Sequence, residues 1–445
     1  MSLEHSFKRG PVKISLLTVV TELYGPFLKS SLIGRAQAHN IFECGVVSFR
    51  DYAQPKERID APPFGPGAGM LLKPVVVERA IADQERQHGT AYKIFFSPHG
   101  ERLTQEVAQR VAQRAQDYGH LMLIAGRYEG MDARVEEHYA DEIISLGDFV
   151  VMGGDLPAML FLEAVVRLIP GVVGKQESVE KESFTGAFVD HPHYTEPLEW
   201  QGMTVPDIVR SGNHAAIEAW RNDQAAERTV LHHFQWLRSS SMHESEKKIA
   251  QEHIPPHYVA LMHTDVVVGK ERQVGCTSVT TLDIHDIARS SATYGIEQFF
   301  VVTPLFDQQK IVHTLLEFWQ KGEGVTYNPS RHQALTAVEL AADLEQVVNA
   351  IAVKEQKKPL VIGTSARTAP ALREITYYDQ QLVWAERRPV LFLLGTGQGL
   401  SEQCLQKCDY ILLPIEGFTS FNHLSVRSAA AIILDRWLGI NQKRI

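Results

Sequence analysis

The sequence predicts an α/β protein of two domains, each built on a mainly parallel sheet that helices cover on both faces. Two observations predict this class. Apolar runs of strand length alternate with amphipathic helical stretches along the chain, a pattern typical of parallel sheets. Glycine-rich segments also follow several of these runs, and binding sites of such folds lie at the carboxyl ends of the strands.

Three apolar runs in the first half predict buried strands, at 13–20, 93–98 and 121–126. Between the second and third lies a helical stretch that we expect to end at Gly119, since glycine is common just past a helix C-terminus. Another helix is expected over the apolar stretch that begins at Pro157, because proline fits the first turn of a helix.

The second half shows the same alternation. Its apolar runs predict strands at 258–263, 298–304, 359–365, 390–395 and 410–415. The helices expected beside these strands include one that Asp283 caps and Gly295 ends, and a last one from about Asn422 to Leu438.

A polar, charged segment over 239–256 ends in two prolines and predicts a linker. This linker would divide the chain into a first domain over 12–238 and a second domain over 257–445. Both lengths are ordinary for globular domains.

Composition narrows the possible functions. The 445 residues include 44 Lys and Arg against 53 Asp and Glu, and the net charge of −9 argues against a protein that coats nucleic acid, while a local basic cleft stays possible. No apolar run reaches the roughly 18 residues of a membrane helix, and the N-terminus lacks a signal-peptide core. Four cysteines without metal-site spacing favour reduced thiols, so we expect a cytoplasmic protein that contacts no membrane.

Four segments of the first domain carry chemistry, at 64–70, 126–132, 145–158 and 182–197. In the third segment a strand end runs into two glycines and a proline-started helix, which builds a backbone-lined crevice with few cations. Such a crevice suits adenine and a thioether better than a pyrophosphate, and neither phosphate-binding glycine motif occurs. Taken singly, a tight structural turn explains such a glycine-rich segment about as well.

In this order and spacing, the four segments resemble those of the bacterial tRNA (guanine-N1)-methyltransferases, a SPOUT-superfamily group that modifies the guanine just 3′ of the anticodon. The resemblance runs from about Ile14 to about Leu237. It implies a trefoil-knotted α/β fold over 12–175, a helical tRNA-binding part over 190–238, a homodimer, and S-adenosylmethionine as methyl donor. The residues that it places at this cofactor are Gly126, Leu146, Gly147, Asp148, Phe149, Val150, Val151, Gly153 and Gly154.

The implied reaction needs a base for the guanine N1 proton and a cation for the charge that builds on O6. The resemblance assigns the cation to Arg167 and the base to the acid before Ser183, with Glu129 as a third catalytic candidate. That acid is Glu182, whereas the familiar motif reads Asp-Ser-Phe, so the carboxylate here is carried on a longer side chain. Asp190 is the second candidate for the base.

Structural interpretations compete with these roles. Arg167 could offset a helix dipole, and Glu182 could be a solvated loop acid. A magnesium ion could gather Glu129, Arg167 and Glu182 around the substrate, although no ligand spacing requires one. The candidates for tRNA contact are Ser183, Asp190, His193 and Tyr194.

The second domain carries the sequence GTGQG over 395–399, after a strand, in a spacing that departs from the dinucleotide-binding fingerprint. Residues 258–439 resemble a bacterial family of SPOUT RNA methyltransferases. Arg289 and Arg367 are candidates for RNA contact or catalysis, with ordinary surface arginines as the alternative. The residues that the resemblance places around S-adenosylmethionine are Gly395, Gly397, Gly399, Ile415, Leu424 and Ser425.

Two hypotheses stay open for this second domain. It is either an additional RNA methyltransferase with a target of its own, or a non-catalytic module that holds RNA. A nucleotide-dependent oxidoreductase is disfavoured by the missing fingerprint. Domains of this kind usually pair, and we expect a homodimer rather than pairing of the two halves within one chain.

Overall fold

The computed structural model describes residues 10–174, 182–369 and 371–441. The chain forms two compact units, Met1–Thr185 and Gly186–Ile445, and each contains one large parallel sheet. The predicted α/β class is confirmed. Within the described part of the chain, no helix is both long enough and apolar enough to cross a membrane.

The strands of the first unit are β1 Val12–Thr18, β2 Phe42–Ser48, β3 Asp60–Ala61, β4 Leu71–Leu72, β5 Tyr92–Arg102, β6 His120–Ile124 and β7 Glu142–Ser145. Its main sheet has five parallel strands in the order β2-β1-β6-β5-β7. The three predicted strands are present as β1, β5 and β6, and β3 pairs with β4 in a short antiparallel ribbon.

Helices cover both faces of this sheet. Alternate side chains of β1 show why: Leu16 packs into one hydrophobic cluster and Leu17 into another on the opposite face. The α-helices of this unit are Tyr24–Lys29, Ser31–Ala38, Pro74–His88, Gln105–Tyr118, Ala133–Tyr139 and Asp155–Val166, and short 3-10 turns span Thr21–Leu23 and Phe49–Tyr52.

Helix Gln105–Tyr118 follows its local sequence signals at both ends. The backbone N–H of Val107 donates to Oγ1 of Thr104 at 3.3 Å, which satisfies one of the free N–H groups of the first turn. Gly119 follows the last turn with φ at 73°, so the predicted stop is confirmed.

The strands of the second unit are β8 Glu199–Trp200, β9 Met203–Thr204, β10 His257–Met262, β11 Val266–Val268, β12 Gln273–Gly275, β13 Gln298–Val302, β14 Val338–Ala341, β15 Leu360–Thr364, β16 Glu374–Ile375, β17 Val390–Gly395 and β18 Tyr410–Leu412. Its main sheet has seven parallel strands in the order β14-β13-β10-β17-β15-β18-β16. The five predicted strands correspond to β10, β13, β15, β17 and β18.

The second unit is richer in helices than the first. Two predicted details are corrected. The last helix begins at Val426, after a cap at Ser425, and Asp283 lies inside its helix, where it pairs with Arg427 instead of capping. The helices are Asp207–Arg210, His214–His232, Phe234–Leu237, Glu244–Glu252, Thr281–Thr293, Phe306–Gln320, Gly324–Tyr327, Pro329–Leu335, Leu344–Glu355, Gln380–Trp384, Glu402–Leu405 and Val426–Leu438.

The boundary between the two compact units lies after residue 185, so the helical segment 186–238 belongs to the second unit. The buried guanidinium of Arg238 donates to the carbonyls of Asp435, Arg436 and Gly439 at 2.6, 2.6 and 2.7 Å. These carbonyls end the last helix, where a cation is favourable. The expected division at 239–256 stays a prediction, and that segment contains the helix Glu244–Glu252.

A buried histidine organises the core of the second unit. His257 begins β10, and its Nδ1–H donates to the carbonyl of Pro255 at 2.6 Å. Its Nε2 accepts from the indole N–H groups of Trp384 and Trp437, at 3.3 and 3.0 Å. Burial lowers the pKa of His257 to about 4, so the ring is neutral. In the Nδ1–H tautomer the two indole N–H groups share the lone pair of Nε2.

We expect His257→Phe to lower the free energy of unfolding by roughly 2–4 kcal/mol, because two buried indole donors lose their acceptor. Between about pH 6.5 and pH 4 the unfolded His257 takes up a proton that the folded ring does not, so the native protein should lose about 3 kcal/mol over this range. Urea unfolding followed by fluorescence at several pH values measures both effects.

The variant should have a shallower pH dependence than the native chain, while the exposed-site control His313→Phe should keep the native profile. Parallel profiles for His257→Phe and the native chain would contradict this assignment of the buried ring.

Candidate functional site

At the carboxyl edge of the first sheet, the loops that follow β6 and β7 touch through their backbones. The N–H of Gly154 donates to the carbonyl of Gly126 at 2.7 Å. A Cβ at position 154 would lie 2.8 Å from the Gly126 nitrogen, closer than real side chains allow. Glycine at 154 is therefore a steric requirement of this crossing.

The segment 64–70 lies against the loop that carries Glu129. The N–H of Glu129 donates to the carbonyl of Met70 at 3.0 Å. A Cβ at Gly69, whose φ is +94°, would be 2.4 Å from Cγ of Glu129. Three of the four segments singled out in the sequence thus meet at one edge of the sheet.

The expected cofactor residues of this unit fall into two groups. Gly126, Leu146, Gly147, Gly153 and Gly154 are buried or half-buried. The other four are open to solvent, with Val150 89% exposed, and they form an exposed tip of one acid and three apolar residues: Asp148, Phe149, Val150 and Val151.

The two residues expected to share catalysis lie together. Arg167 follows the helix Asp155–Val166, and its Nη2 donates to both carboxylate oxygens of Glu182 at 2.5 and 2.6 Å. Both side chains are about one-third exposed, so a substrate could reach them. Ser183 is half-buried beside Glu182, whose carbonyl accepts from the Oγ1 of Thr185 at 2.6 Å.

A buried carboxylate next to the crossing was not singled out in the sequence. Asp155 is 2% exposed, and its Oδ1 accepts from Thr18 at 2.5 Å and from Tyr24 at 2.8 Å. Its Oδ2 lies 3.6 Å from Nη1 of Arg127. Burial and the Asp155 carboxylate raise the pKa of Tyr24, which keeps the phenol a donor. The signal available was an acid directly after two glycines.

The remaining candidates for tRNA contact lie at the start of the second unit. Oδ2 of Asp190 lies 2.9 Å from Nε2 of His193, and His191 packs on His193 with ring centroids 4.4 Å apart. These three side chains form a group that could hold a metal ion. Tyr194 is exposed, and its ring lies 6.3 Å from that of Trp220.

A cavity of about 1130 Å³ lies at the carboxyl ends of the strands of the second sheet. Arg367 lines it, whereas Arg289 is not among its lining residues. All the expected cofactor residues of this half line it too: Gly395, Gly397, Gly399, Ile415, Leu424 and Ser425.

The glycine turn after β17 is tightly packed on its inner side. A Cβ at Gly395 would lie 2.5 Å from the nitrogen of Leu400, and one at Gly397 would lie 3.0 Å from the carbonyl oxygen of Val267. Gly397 and Gly399 have φ at +61° and +101°. Side chains are therefore excluded, and the turn presents backbone to the cavity.

Three further polar residues join this cavity, and sequence analysis did not select them. Nδ1 of His263 lies 3.0 Å from Oγ1 of Thr277, which lies 2.5 Å from Oγ1 of Thr396. Thr396 donates to the carbonyl of Met262 at 2.8 Å. The signals available were a histidine at the end of a predicted strand and a threonine inside GTGQG.

An ion pair borders the same cavity. Nη1 of Arg427 donates to Oδ1 of Asp283 at 3.0 Å, and its Nε lies 3.6 Å from Asp286. Asp283 is a lining residue, and Arg427 lies in the helix that Ser425 caps. The pair brings the helices Thr281–Thr293 and Val426–Leu438 together beside the cavity.

Comparison with known proteins matches both halves of the chain. Residues 12–238 match the family described as tRNA (Guanine-1)-methyltransferase TrmD. Residues 256–439 match the family described as SAM-dependent RNA methyltransferase.

Proteins named tRNA (guanine-N(1)-)-methyltransferase are similar over different lengths. Those of Nitratidesulfovibrio vulgaris and Oleidesulfovibrio alaskensis are each 38% identical over 434 residues, covering 96% of this chain and 99% of the relative. That of Bacillus subtilis is 41% identical over 243 residues, covering 54% of this chain and 98% of the relative.

A solved structure is also similar, the crystal structure of tRNA (m1G37) methyltransferase from Aquifex aeolicus. It has 31% sequence identity and a TM-score of 0.40, and the match covers 47% of this chain and 87% of that one. The similarity to the Nitratidesulfovibrio and Oleidesulfovibrio relatives extends over nearly the whole chain. The chain therefore belongs to the tRNA (guanine-N1)-methyltransferase family, and its second half is a SAM-dependent RNA methyltransferase domain.

Proposed function

We propose that the chain methylates N1 of the guanine at position 37 of tRNA, just 3′ of the anticodon, and that the first unit holds the reacting groups. The chain is a SAM-dependent tRNA methyltransferase by family. The observation that carries the finer proposal is the direct contact between Arg167 and Glu182, at 2.5 Å, beside the glycine crossing.

The chemistry follows from what each group offers. Neutral guanine N1 is a poor nucleophile until its proton leaves, and Glu182 is the carboxylate that takes that proton. Removal of the proton builds negative charge on O6, and Arg167 supplies a fixed cation for it. Arg167 and Glu182 neutralise each other in the structure, so the entering guanine would replace this ion pair with contacts of its own to both groups.

The longer acid is compatible with this role. Glutamate and aspartate have similar reference pKa values, about 4.3 and 3.9, so either can act as base. The two side chains differ in length by one methylene group, and a carboxylate misplaced by about 1 Å can lower the rate about a hundredfold. Arg167 holds both oxygens of Glu182, which limits where the longer side chain can point.

S-Adenosylmethionine supplies the methyl group when it is bound. We assign its site in the first unit to the half-buried loops that carry Gly126, Leu146 and Gly147 and to the crossing at Gly153 and Gly154. The exposed tip, Asp148, Phe149, Val150 and Val151, would line the same site from the solvent side. Such a backbone-lined, weakly charged surface suits an adenine ring.

For tRNA we propose contacts by Ser183, Asp190, His193 and Tyr194. A magnesium ion is proposed at the carboxylates of Glu129 and Glu182, whose oxygen atoms are the kind of ligand that Mg²⁺ prefers. Glu182 would have to separate from Arg167 before it could bind the ion. Because the substrate would separate this pair, the metal would enter together with the substrate.

We expect Glu182→Gln to lower methyl transfer to unmodified tRNA by about 10²–10⁴-fold, because the amide keeps the shape but cannot take the proton. The assay follows labelled methyl from S-adenosylmethionine, with and without Mg²⁺, and maps the product to the guanine. Glu106→Gln, an exposed acid with the same chemical change, serves as control.

Full activity in Glu182→Gln would move the base elsewhere, with Asp190 next to be tested. No transfer by the native chain would contradict the assigned reaction itself.

The trefoil knot and the homodimer are proposed together, for both halves. The hydrogen bond between Gly154 and Gly126 supports the proposed knot, because it joins two loops that a knotted chain would pass through one another. Leu156 and Leu160 lie one turn apart on the helix Asp155–Val166, and both are exposed, as is Met152 before the helix. An apolar face of this kind favours a second copy of the chain.

We expect the double change Leu156→Glu with Leu160→Glu to convert a dimer into a monomer, because each dimer would bury four uncompensated charges. Light scattering after size-exclusion chromatography measures the mass. Leu23→Glu, at an exposed leucine elsewhere in the unit, is the control and should stay dimeric. A native chain that runs as a monomer would refute the proposal.

For the second unit we propose an additional RNA methyltransferase that binds S-adenosylmethionine in the 1130 Å³ cavity. The glycine turn Gly395, Gly397 and Gly399 would present backbone to the cofactor, and Ile415, Leu424 and Ser425 would close the site. Arg367 lines the cavity and is the candidate for RNA contact. The alternative, a non-catalytic RNA-binding module, predicts that no cofactor enters.

We expect the native chain to bind two molecules of S-adenosylmethionine, and Gly395→Ala to bind one, because a Cβ there would displace the backbone of Leu400. Isothermal titration gives the stoichiometry, and a thermal melt checks folding. Gly417→Ala adds the same group in open space and should still bind two. A native stoichiometry of one, unchanged in Gly395→Ala, would favour the RNA-binding module.

We place the protein in the cytoplasm, where its tRNA substrate is made. The four cysteines are all free thiols, which suits a reducing compartment.

A further inference from the structure

His263 is the most unusual polar side chain of the second-unit cavity. It directly follows β10, lines the cavity, and is 1% exposed. Its Nε2 is buried and has no hydrogen-bond partner within the described part of the chain. A buried polar atom without a partner is costly, so its presence in a cavity calls for an explanation.

The hydroxyl groups beside the ring decide which nitrogen carries the proton. Thr396 has one hydroxyl proton and gives it to the carbonyl of Met262, so at the contact with Thr277 it accepts. The hydroxyl of Thr277 therefore donates to Thr396, and its oxygen accepts from Nδ1–H of His263. The chain of donors assigns the Nδ1–H tautomer, which leaves a lone pair on Nε2.

The ring is also neutral under ordinary conditions. Burial lowers the pKa of His263 to about 4, against smaller opposing effects of Asp283 and of the backbone at Ser278. The carboxylate of Asp283 is itself held by Arg427 and is not a hydrogen-bond partner of the ring. Nε2 therefore offers an acceptor, and a ligand that satisfies it must bring an N–H or O–H group.

We propose that Nε2 of His263 accepts a hydrogen bond from S-adenosylmethionine bound in this cavity, and so positions the cofactor against the glycine turn. The inference rests on the proposed cofactor site of the second unit. The cofactor carries donors on its adenine, ribose and amino-acid parts. The hydroxyl chain ties the ring to Thr396, between Gly395 and Gly397, so the acceptor and the turn hold a fixed relation.

A matched pair of substitutions separates this role from a structural one. In His263→Asn the short side chain carries its amide near the position of Nδ1, which keeps a donor for Thr277 and removes the acceptor. In His263→Gln the longer side chain carries its amide near the position of Nε2, which keeps an acceptor and loses the bond to Thr277. A structural role predicts the opposite order of damage.

Isothermal titration of the full chain with S-adenosylmethionine is the test, with Gly395→Ala used to identify the binding phase of the second unit. We expect His263→Asn to weaken that phase about tenfold and His263→Gln to stay within about threefold of the native affinity. Thermal melts of both variants check that they fold.

Native affinity in His263→Asn, or greater damage in His263→Gln, would overturn the inference and leave the cofactor site standing. A native chain that binds one molecule, with no phase removed by Gly395→Ala, would overturn the cofactor site of the second unit and this inference with it.

Discussion

Each unit depends on backbone segments that pass one another at the carboxyl edge of a parallel sheet with no side chain between them. In the first unit the contact is the 2.7 Å hydrogen bond from Gly154 to Gly126. In the second it joins Val267 to the turn after β17, where the N–H of Val267 donates to the carbonyl of Gly399 at 2.9 Å. Any Cβ at Gly154 or Gly395 would meet backbone, which cannot move aside as a side chain can. The glycines therefore serve the fold first, and the exposed backbone that results is what a flat, uncharged ligand group can use.

Around these crossings the two units distribute charge differently. The first unit has a partly exposed ion pair, Arg167 with Glu182, that solvent can reach. The second unit borders its cavity with the ion pair of Asp283 and Arg427, which lies between two helices. The lining also includes neutral polar groups, among them a histidine that burial keeps uncharged. The first arrangement suits removal of a proton from a guanine ring. The second suits recognition of a bound molecule by hydrogen bonds.

Much of the fold could be predicted from sequence because its causes are local. The strands β1, β6, β10, β13 and β17 are mainly apolar runs, and the stop at Gly119 needs one glycine in the left-handed region. The placement of Gly395, Gly397 and Gly399 on one cavity follows from the same logic, since loops after neighbouring parallel strands share an edge. Assignment of catalytic roles to Arg167 and Glu182 needed the family resemblance, because nothing in their spacing implies contact.

What could not be predicted depends on partners far along the chain. Asp155 is defined by Thr18 and Tyr24, more than 130 residues away, and Asp283 by Arg427, 144 residues away. Nε2 of His263 is left as an acceptor because the hydroxyl groups of Thr277 and Thr396, from separate segments, each donate to the next group along the chain of hydrogen bonds. No local pattern distinguishes these residues from ordinary polar ones.

The three hydrogen bonds of Arg238 tie the end of the first family match to the last helix of the chain. Its guanidinium is the cap for the carbonyls that end the last helix, and Phe234 and Leu237 beside it belong to the core of the second unit. The family match of the first half runs to residue 238, so the end of that match lies inside the core of the second unit. A chain cut after residue 238 would expose Phe234 and Leu237 and leave the Arg238 guanidinium without its acceptors. The two halves could therefore be separated only by also redesigning the end of the first.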